Sequence, residues 1–184
     1  MLQNQPISVW RPPPGIPLIR VGLTFGKHKF CKDCVYFLWI AFKDHLMTNL
    51  ERFLRSVGHH PSCTICDTQD ESTLHVLRDC KFAREVWLYF SPVVYSPTFF
   101  TMNLQAWLMS NIHCHDLISE YSIPWSTFFV SILWQLWKAK NEHVFNSVPQ
   151  SPTDVWSKGI FWARCYMESF LLSPTRSPES RTSH

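Results

Sequence analysis

Three cysteines and a histidine fall within eighteen residues of this chain: Cys63-Thr-Ile-Cys66, then His75, then Cys80, a spacing of C-x2-C-x8-H-x4-C. Thiolate sulfur and imidazole nitrogen are preferred zinc ligands, and four of them complete a closed tetrahedral shell. A closed shell leaves no position for water or substrate, so such a site staples a fold and runs no reaction. The spacing also constrains the backbone. Residues five apart on an unbroken α-helix diverge by about 140°, so His75 and Cys80 can share an ion only if the helix ends between them, near Asp79. Cys80 must then turn back toward the ion.

Other thiols and imidazoles offer weaker constellations. Cys31-Lys-Asp-Cys34 could pair with Cys63 and Cys66 in a four-cysteine site. A zinc ribbon, however, needs a hairpin elbow around each pair, and the stretch between the pairs reads as two helices. Cys31 and Cys34 are therefore expected to be incidental thiols at a helix start. His113-Cys114-His115 lacks a third group to orient a nucleophile and reads as a polar loop end. His45, His59 and His60 read as solvated. Residues 63–85 hold five acidic and three basic side chains, whereas a knuckle that grips phosphates would be basic. The metal lobe is thus expected to be architecture.

Hydrophobic residues make up 46% of the 184 and charged residues 17%, which excludes wholesale disorder and fits one domain with loose ends. Nine Trp and fourteen Phe imply an aromatic core or a surface meant for a partner. The Trp134/Trp137 pair could stack on bases, but its helical spacing favours the core. A net charge of +3 argues neither for nor against nucleic acid. An odd number of cysteines, seven, with no apolar signal stretch in the first thirty residues argues against a disulfide framework. These features point to an intracellular protein, in nucleus or cytoplasm, and not a secreted one. Residues 1–32 carry five Lys/Arg and no Asp/Glu, but their Pro-rich, Ser-poor composition speaks against a transit peptide. The apolar run Phe128–Trp137 is interrupted by Ser131 and Gln135 and is too short to span a bilayer.

Five prolines and three glycines in residues 1–30 predict an extended or disordered arm. A first helix is expected over about Asp33–His45, with Phe37, Leu38, Phe42 and Leu46 at helical spacing. Thr48 and Glu51 form a capping-box pair, followed by the apolar stripe Leu50, Phe53, Leu54, Val57 and a stop at Gly58. Arg52 and Arg55 lie off that stripe. After the metal segment a helix carries Phe82, Val86, Trp87 and Phe90 on one face, and Pro92 and Pro97 punctuate a loop. Further helices are expected over Leu104–Ile112, from Pro124 to about Phe145, and from a Thr153 cap to about Leu172. The Ser/Pro/Arg-rich tail 173–184 reads as disordered. No stretch alternates convincingly with period two. The expected class is all-α, a small helical domain with one structural zinc site in a loop–helix hairpin.

Several segments resemble, in the same order, the zinc-binding domain of plant non-LTR retroelement reverse transcriptases. They are Phe37-Leu-Trp39, Leu46-Met-Thr48-Asn49, the set Cys63, Cys66, His75 and Cys80, and Cys80-Lys-Phe-Ala-Arg-Glu-Val-Trp87. The run Leu133-Trp134-Gln-Leu-Trp137-Lys-Ala-Lys-Asn141-Glu-His-Val-Phe145 resembles the segment leading toward a ribonuclease H domain, with Lys140-Asn141 where an Arg-Asn pair is usual. The resemblance spans residues 36–90 and, more loosely, 125–148; residues 1–30 do not look like the family's upstream segment. It implies a zinc-binding module at residues 31–92 and a linker-like helical region at 93–172. No Asp-Asp dipeptide offers a polymerase its catalytic pair, and no strand pattern carries the clustered carboxylates of a ribonuclease H. The implied molecule is a non-catalytic fragment of a retroelement polyprotein. Its cofactor would be zinc, held by Cys63, Cys66, His75 and Cys80. Its partners would be RNA or DNA, or a polymerase or nuclease domain encoded elsewhere, with no membrane and no small-molecule substrate. Lys43, Arg52 and Arg55 are the expected phosphate contacts.

Overall fold

A computed structural model describes residues 32–89 and 98–171. The arm expected at 1–30, Cys31, the Pro92/Pro97 loop and the tail 173–184 lie outside the described residues.

Helix α1, Lys32–Phe42, buries Cys34, Phe37, Leu38 and Ala41, the i, i+3, i+4, i+7 face of an amphipathic helix. It stops three residues before His45 because Asp44 enters the left-handed region at φ 57°. The His45 amide then reaches back to the Ile40 carbonyl and the Asp44 amide to that of Ala41, a Schellman closure.

Helix α2, Asn49–Leu54, has half of the expected capping box. The Thr48 hydroxyl accepts from the Glu51 amide at 3.2 Å, but the Glu51 carboxylate turns to Arg55 at 2.6 Å instead of reaching back. The helix ends at Leu54, with Ser56 (φ 58°) taking the left-handed position that Gly58 was expected to supply. The apolar stripe also differs from expectation: Phe53, Leu54 and Val57 are 45%, 68% and 62% exposed. A single turn and a half of helix, anchored at its first turn, leaves that face in solvent.

After the metal segment come α3 (Lys81–Leu88), α4 (Leu104–Ile112), a two-residue antiparallel ladder of β1 (Leu117–Ile118) with β2 (Ile123–Pro124), α5 (Trp125–Asn146) and α6 (Pro152–Leu171). The ladder was not expected; it is too short to show period-two alternation. The cap of α6 is Ser151, whose hydroxyl accepts from the Asp154 amide at 3.0 Å. Pro152 then holds the first helical position, where its missing N–H costs nothing, and Thr153 lies inside the helix. Helix α5 is the central rod, buried on most sides along its first half. It lies against α6, α4, α1 and the metal segment. Where α5 meets α6, Gly159 leaves room for Ile132, since a Cβ there would sit 2.2 Å from the Ile132 Cδ1.

The aromatic load is largely core. Trp87 stacks on Phe129 at 5.5 Å and meets Trp107 edge-on at 6.0 Å, while Trp107 meets Phe99 and Phe129 edge-on. Trp134 and Trp137 are half-buried against Phe37, as their spacing implied. Among the described residues no helix is long and apolar enough to cross a membrane.

Candidate metal centre

The loop Pro61–Glu71 folds back on itself. The Cys63 amide donates to the Gln69 carbonyl at 2.9 Å, and the Glu71 amide to Pro61 at 2.8 Å, around a Ser62–Asp70 bridge. Cys63 and Cys66 flank the turn at its tip. Asp67, at φ 52°, closes that turn by donating its amide to the Cys63 carbonyl at 2.8 Å.

The second half of the site comes from a widened helix. His75–Asp79 is π-helical, and the Cys80 amide donates to the His75 carbonyl at 2.7 Å. An i→i+5 bond closes a turn of more than four residues, so Cys80 is stacked above His75, where an α-helix would have rotated it away. The backbone then breaks at Cys80 itself (φ −55°, ψ 140°), one residue later than expected, and α3 begins. The Trp87 indole donates to the Leu77 carbonyl at 2.8 Å and satisfies one acceptor near this helix end. Buried Arg78 ties the same turn to Asp79 at 2.8 Å and to the Met102 carbonyl at 2.6 Å.

These two pieces bring the four donor atoms of Cys63, Cys66, His75 and Cys80 within 4.8 Å of one another. Cys63 and Cys80 sulfurs are 3.9 Å apart, and the Cys66 sulfur is 3.3 Å from His75 Nε2. Zinc–sulfur bonds of about 2.3 Å in a tetrahedron require edges of about 3.8 Å, so the cage fits such an ion. Three of the four residues are buried and Cys66 is partly so.

The surroundings favour charged sulfur at Cys66 and Cys80 and a protonated thiol at Cys63. Cys80 caps α3, and its thiol is pulled below the usual range by the Cys63 hydrogen bond and by the Phe82 and Ala83 amides, against the effect of burial. The same hydrogen bond to Cys80, with burial, pushes Cys63 up to about 12. At Cys66 burial acts upward, but the Thr68 hydroxyl at 3.1 Å and the Thr68 amide outweigh it and lower the thiol. Burial would lower His75, yet the Cys63 and Cys66 sulfurs raise it. A divalent cation held by these four groups would take the place of the protons they carry.

Gln69 is a supporting residue the spacing did not reveal. Its Oε1 lies 3.2 Å from His75 Nδ1; an amide oxygen only accepts, so with zinc bound Gln69 would hold the proton on Nδ1 and leave Nε2 to the ion. Gln69→Ala is expected to weaken zinc binding about 10–100-fold with the fold intact at saturating metal. Chelator competition measures the first effect and circular dichroism the second.

The remaining candidates are dispersed. Cys34 is buried on α1 with its sulfur 3.1 Å from the Tyr166 hydroxyl of α6, and Cys31 lies outside the described residues. The Cys114 thiol meets Asp116 at 3.5 Å, and burial raises its pKa, the opposite of what a nucleophile needs. His45, His59 and His60 are exposed, and so are Lys43 and Arg55, while Arg52 is half-buried. Glu71, one of the acidic neighbours, is fully buried and pairs with Lys140 of α5 at 3.0 Å.

Comparison with known proteins accords with this geometry. Residues 22–87 match a family described as zinc-binding in reverse transcriptase. The match begins at Gly22, ahead of residue 31, where the module was expected to start. A protein of Arabidopsis thaliana named "Putative ribonuclease H protein" is 36% identical over 109 residues, 59% of this chain and 17% of that relative. The chain therefore corresponds to a minor part of that relative's length. No solved structure matches. Over residues 22–87, this chain is similar to the family described as zinc-binding in reverse transcriptase.

Proposed function

We propose that the chain is a non-catalytic, zinc-stapled helical module derived from a retroelement reverse transcriptase polyprotein, and that it binds nucleic acid weakly. Residues 31–92 would form the zinc-binding domain and residues 93–172 a helical region resembling the linker toward a ribonuclease H domain. Cys63, Cys66, His75 and Cys80 would all serve as ligands, so the ion would have no open position and no part in chemistry. The closeness of those four donor atoms, all within 4.8 Å, carries this proposal.

Lys43, Arg52 and Arg55 would contact phosphates. Arg55 is exposed but already paired with Glu51 at 2.6 Å, which accords with weak binding. Three phosphate contacts on a single strand predict a roughly 20-fold loss of affinity between 50 and 200 mM salt. In Arg52→Ala/Arg55→Ala the log–log salt slope is expected to fall by about 1.4, read by fluorescence anisotropy on a labelled oligonucleotide. An unchanged slope removes these residues from the proposal. The exposed Phe53, Leu54 and Val57 favour a second reading, a protein-interaction module without nucleic-acid binding. No retention on single-stranded nucleic acid even at low salt selects that alternative.

A further inference from the structure

Between α5 and α6 lies an open groove of about 410 Å³. Buried Gln135 and Val155 form its floor, while Lys138 of α5 and Lys158, Phe161 and Trp162 of α6 stand at its rim. Helical spacing sorts these side chains: Val155, Ile160 and Ala163 turn α6 toward the core, and Lys158, Phe161 and Trp162 take the opposite side. Phe161 and Trp162 are 60% and 40% exposed, and their rings meet edge-on at 5.7 Å. Contiguous apolar surface of this kind marks a binding site.

The charges beside the rings are a second observation. Lys138 and Lys158 are exposed, and among the described residues neither is in an ion pair; Lys158 Nζ donates to the Gln150 side-chain oxygen at 3.2 Å. Arg55, by contrast, is held by Glu51. One carboxylate, Glu142, also lines the groove, and its Oε2 accepts from the Asn146 side-chain amide at 2.8 Å. A smaller groove of about 140 Å³ shares Ala139 and Gln150 with the first and carries Ile65 of the metal loop, Phe82 and His143. The surface therefore runs from α6 toward the loop that holds Cys63 and Cys66. Flat rings beside cations suit a single nucleic-acid strand, whose bases stack on aromatic side chains while ammonium groups meet its phosphates. An acidic peptide would use the lysines and leave the rings without a flat partner. An apolar peptide would cover the rings and bury the ammonium groups without countercharge.

We propose that this groove is a stacking site for single-stranded nucleic acid: a base lies against Trp162 and Phe161, and Lys138 and Lys158 pair with the flanking phosphates. The proposal rests on the reading of the chain as a weak nucleic-acid binder and gives that binding a second surface besides Lys43, Arg52 and Arg55. Two further cations change the expected salt response. Five phosphate contacts on one strand predict about a 130-fold loss of affinity between 50 and 200 mM salt, where three predict about 20-fold.

The test is fluorescence anisotropy of the full, zinc-loaded chain with labelled oligo(dT) and with an abasic strand of the same length, which keeps the phosphates and lacks the bases. Trp162→Ala is expected to weaken oligo(dT) binding about 5–150-fold, the loss of one stacked base, and to leave the abasic strand unaffected. Trp162→Phe, which keeps a ring, should retain most of the affinity. Zinc content and circular dichroism check that the fold survives, and Phe161→Ala, at the more exposed position, is the second variant should Trp162→Ala not fold. Lys138→Gln/Lys158→Gln should lower the log–log salt slope by about 1.4. Parent binding that Trp162→Ala and Phe161→Ala leave unchanged overturns the groove and leaves the nucleic-acid reading standing. Equal weakening of both strands in Trp162→Ala also overturns it, because the ring would then act without a base. No retention of oligo(dT) by the parent even at low salt overturns the nucleic-acid reading and this site with it, and leaves the rings to a protein partner.

Discussion

Cys66→Ser is expected to lose zinc and cooperative structure together. Purified parent protein should carry one zinc per chain by elemental analysis, and the variant none. Structural zinc sites contribute about 10–16 kcal/mol of apparent binding energy near neutral pH, while a whole domain is stable by about 5–15 kcal/mol. Removing one of four ligands therefore takes away a contribution as large as the net stability. The loss should not stay local. The π-helical turn that carries His75 lies against α5, and Val76 and Leu77 from that turn are buried in the same apolar cluster as Trp87, Phe129 and Leu133. Helicity followed by circular dichroism should fall in one transition as a chelator is added to the parent, and should start low in Cys66→Ser. A metal-free protein with an undiminished, cooperative melt would refute the zinc staple. Cys34→Ser is the contrasting substitution: its thiol faces Tyr166 and not the cage, so zinc content should be unchanged.

How far the fold could be read from the sequence differs from residue to residue, for physical reasons. The four candidate ligands are legible because few other roles gather three cysteines and a histidine so closely. The need for a helix interruption followed from the five-residue step between His75 and Cys80. The device was not legible, because both a helix end and a widened turn satisfy the step, and the structure uses them in succession. Helix α2 misled for a different reason. Leu50, Phe53, Leu54 and Val57 have the right period for a core face, but a period says which residues share a face and not whether a neighbour arrives to cover it. Here the neighbouring loop meets only the first turn, through the Glu71 carboxylate at the Asn49 amide and the Ser62 carbonyl at the Asn49 side chain. Glu71 itself is one of the five acidic residues in the stretch 63–85. Only tertiary structure reveals that it is buried and that its countercharge lies 69 residues away in Lys140. The one available hint was a lysine at 140 following the apolar run of α5.

Lys140→Met is the second substitution expected to have a large effect. Glu71 is fully excluded from solvent and Lys140 nearly so. The Glu71 Oε1 accepts from the Asn49 amide at 2.8 Å and faces the Lys140 ammonium at 3.0 Å, while Oε2 has no hydrogen-bond partner. The ammonium also lies 5.2 Å from the centre of the Trp137 ring. Removing the cation leaves a buried carboxylate with one amide donor and no countercharge, which costs about 3–5 kcal/mol. For a chain of this size each kcal/mol moves the melting temperature by about 2–4 °C, so a drop of roughly 6–20 °C is expected by calorimetry. Glu71→Gln should also destabilise, by leaving the ammonium unpaired. The double variant Glu71→Gln/Lys140→Met distinguishes ion-pair breakage from lost packing. It removes both charges, keeps the side-chain volumes, and retains an amide oxygen to accept from Asn49. Its stability should return to within about 1 kcal/mol of the parent, because a buried pair often contributes little net energy over an uncharged replacement. If Lys140→Met melts like the parent, the pair does not hold α5 to the metal loop. If the double variant is as unstable as the two single losses added together, the cost lies in packing around Trp137. Recovery in the double variant would mean that the zinc loop, the first turn of α2 and the central helix are held in register by one mutually dependent pair of charges.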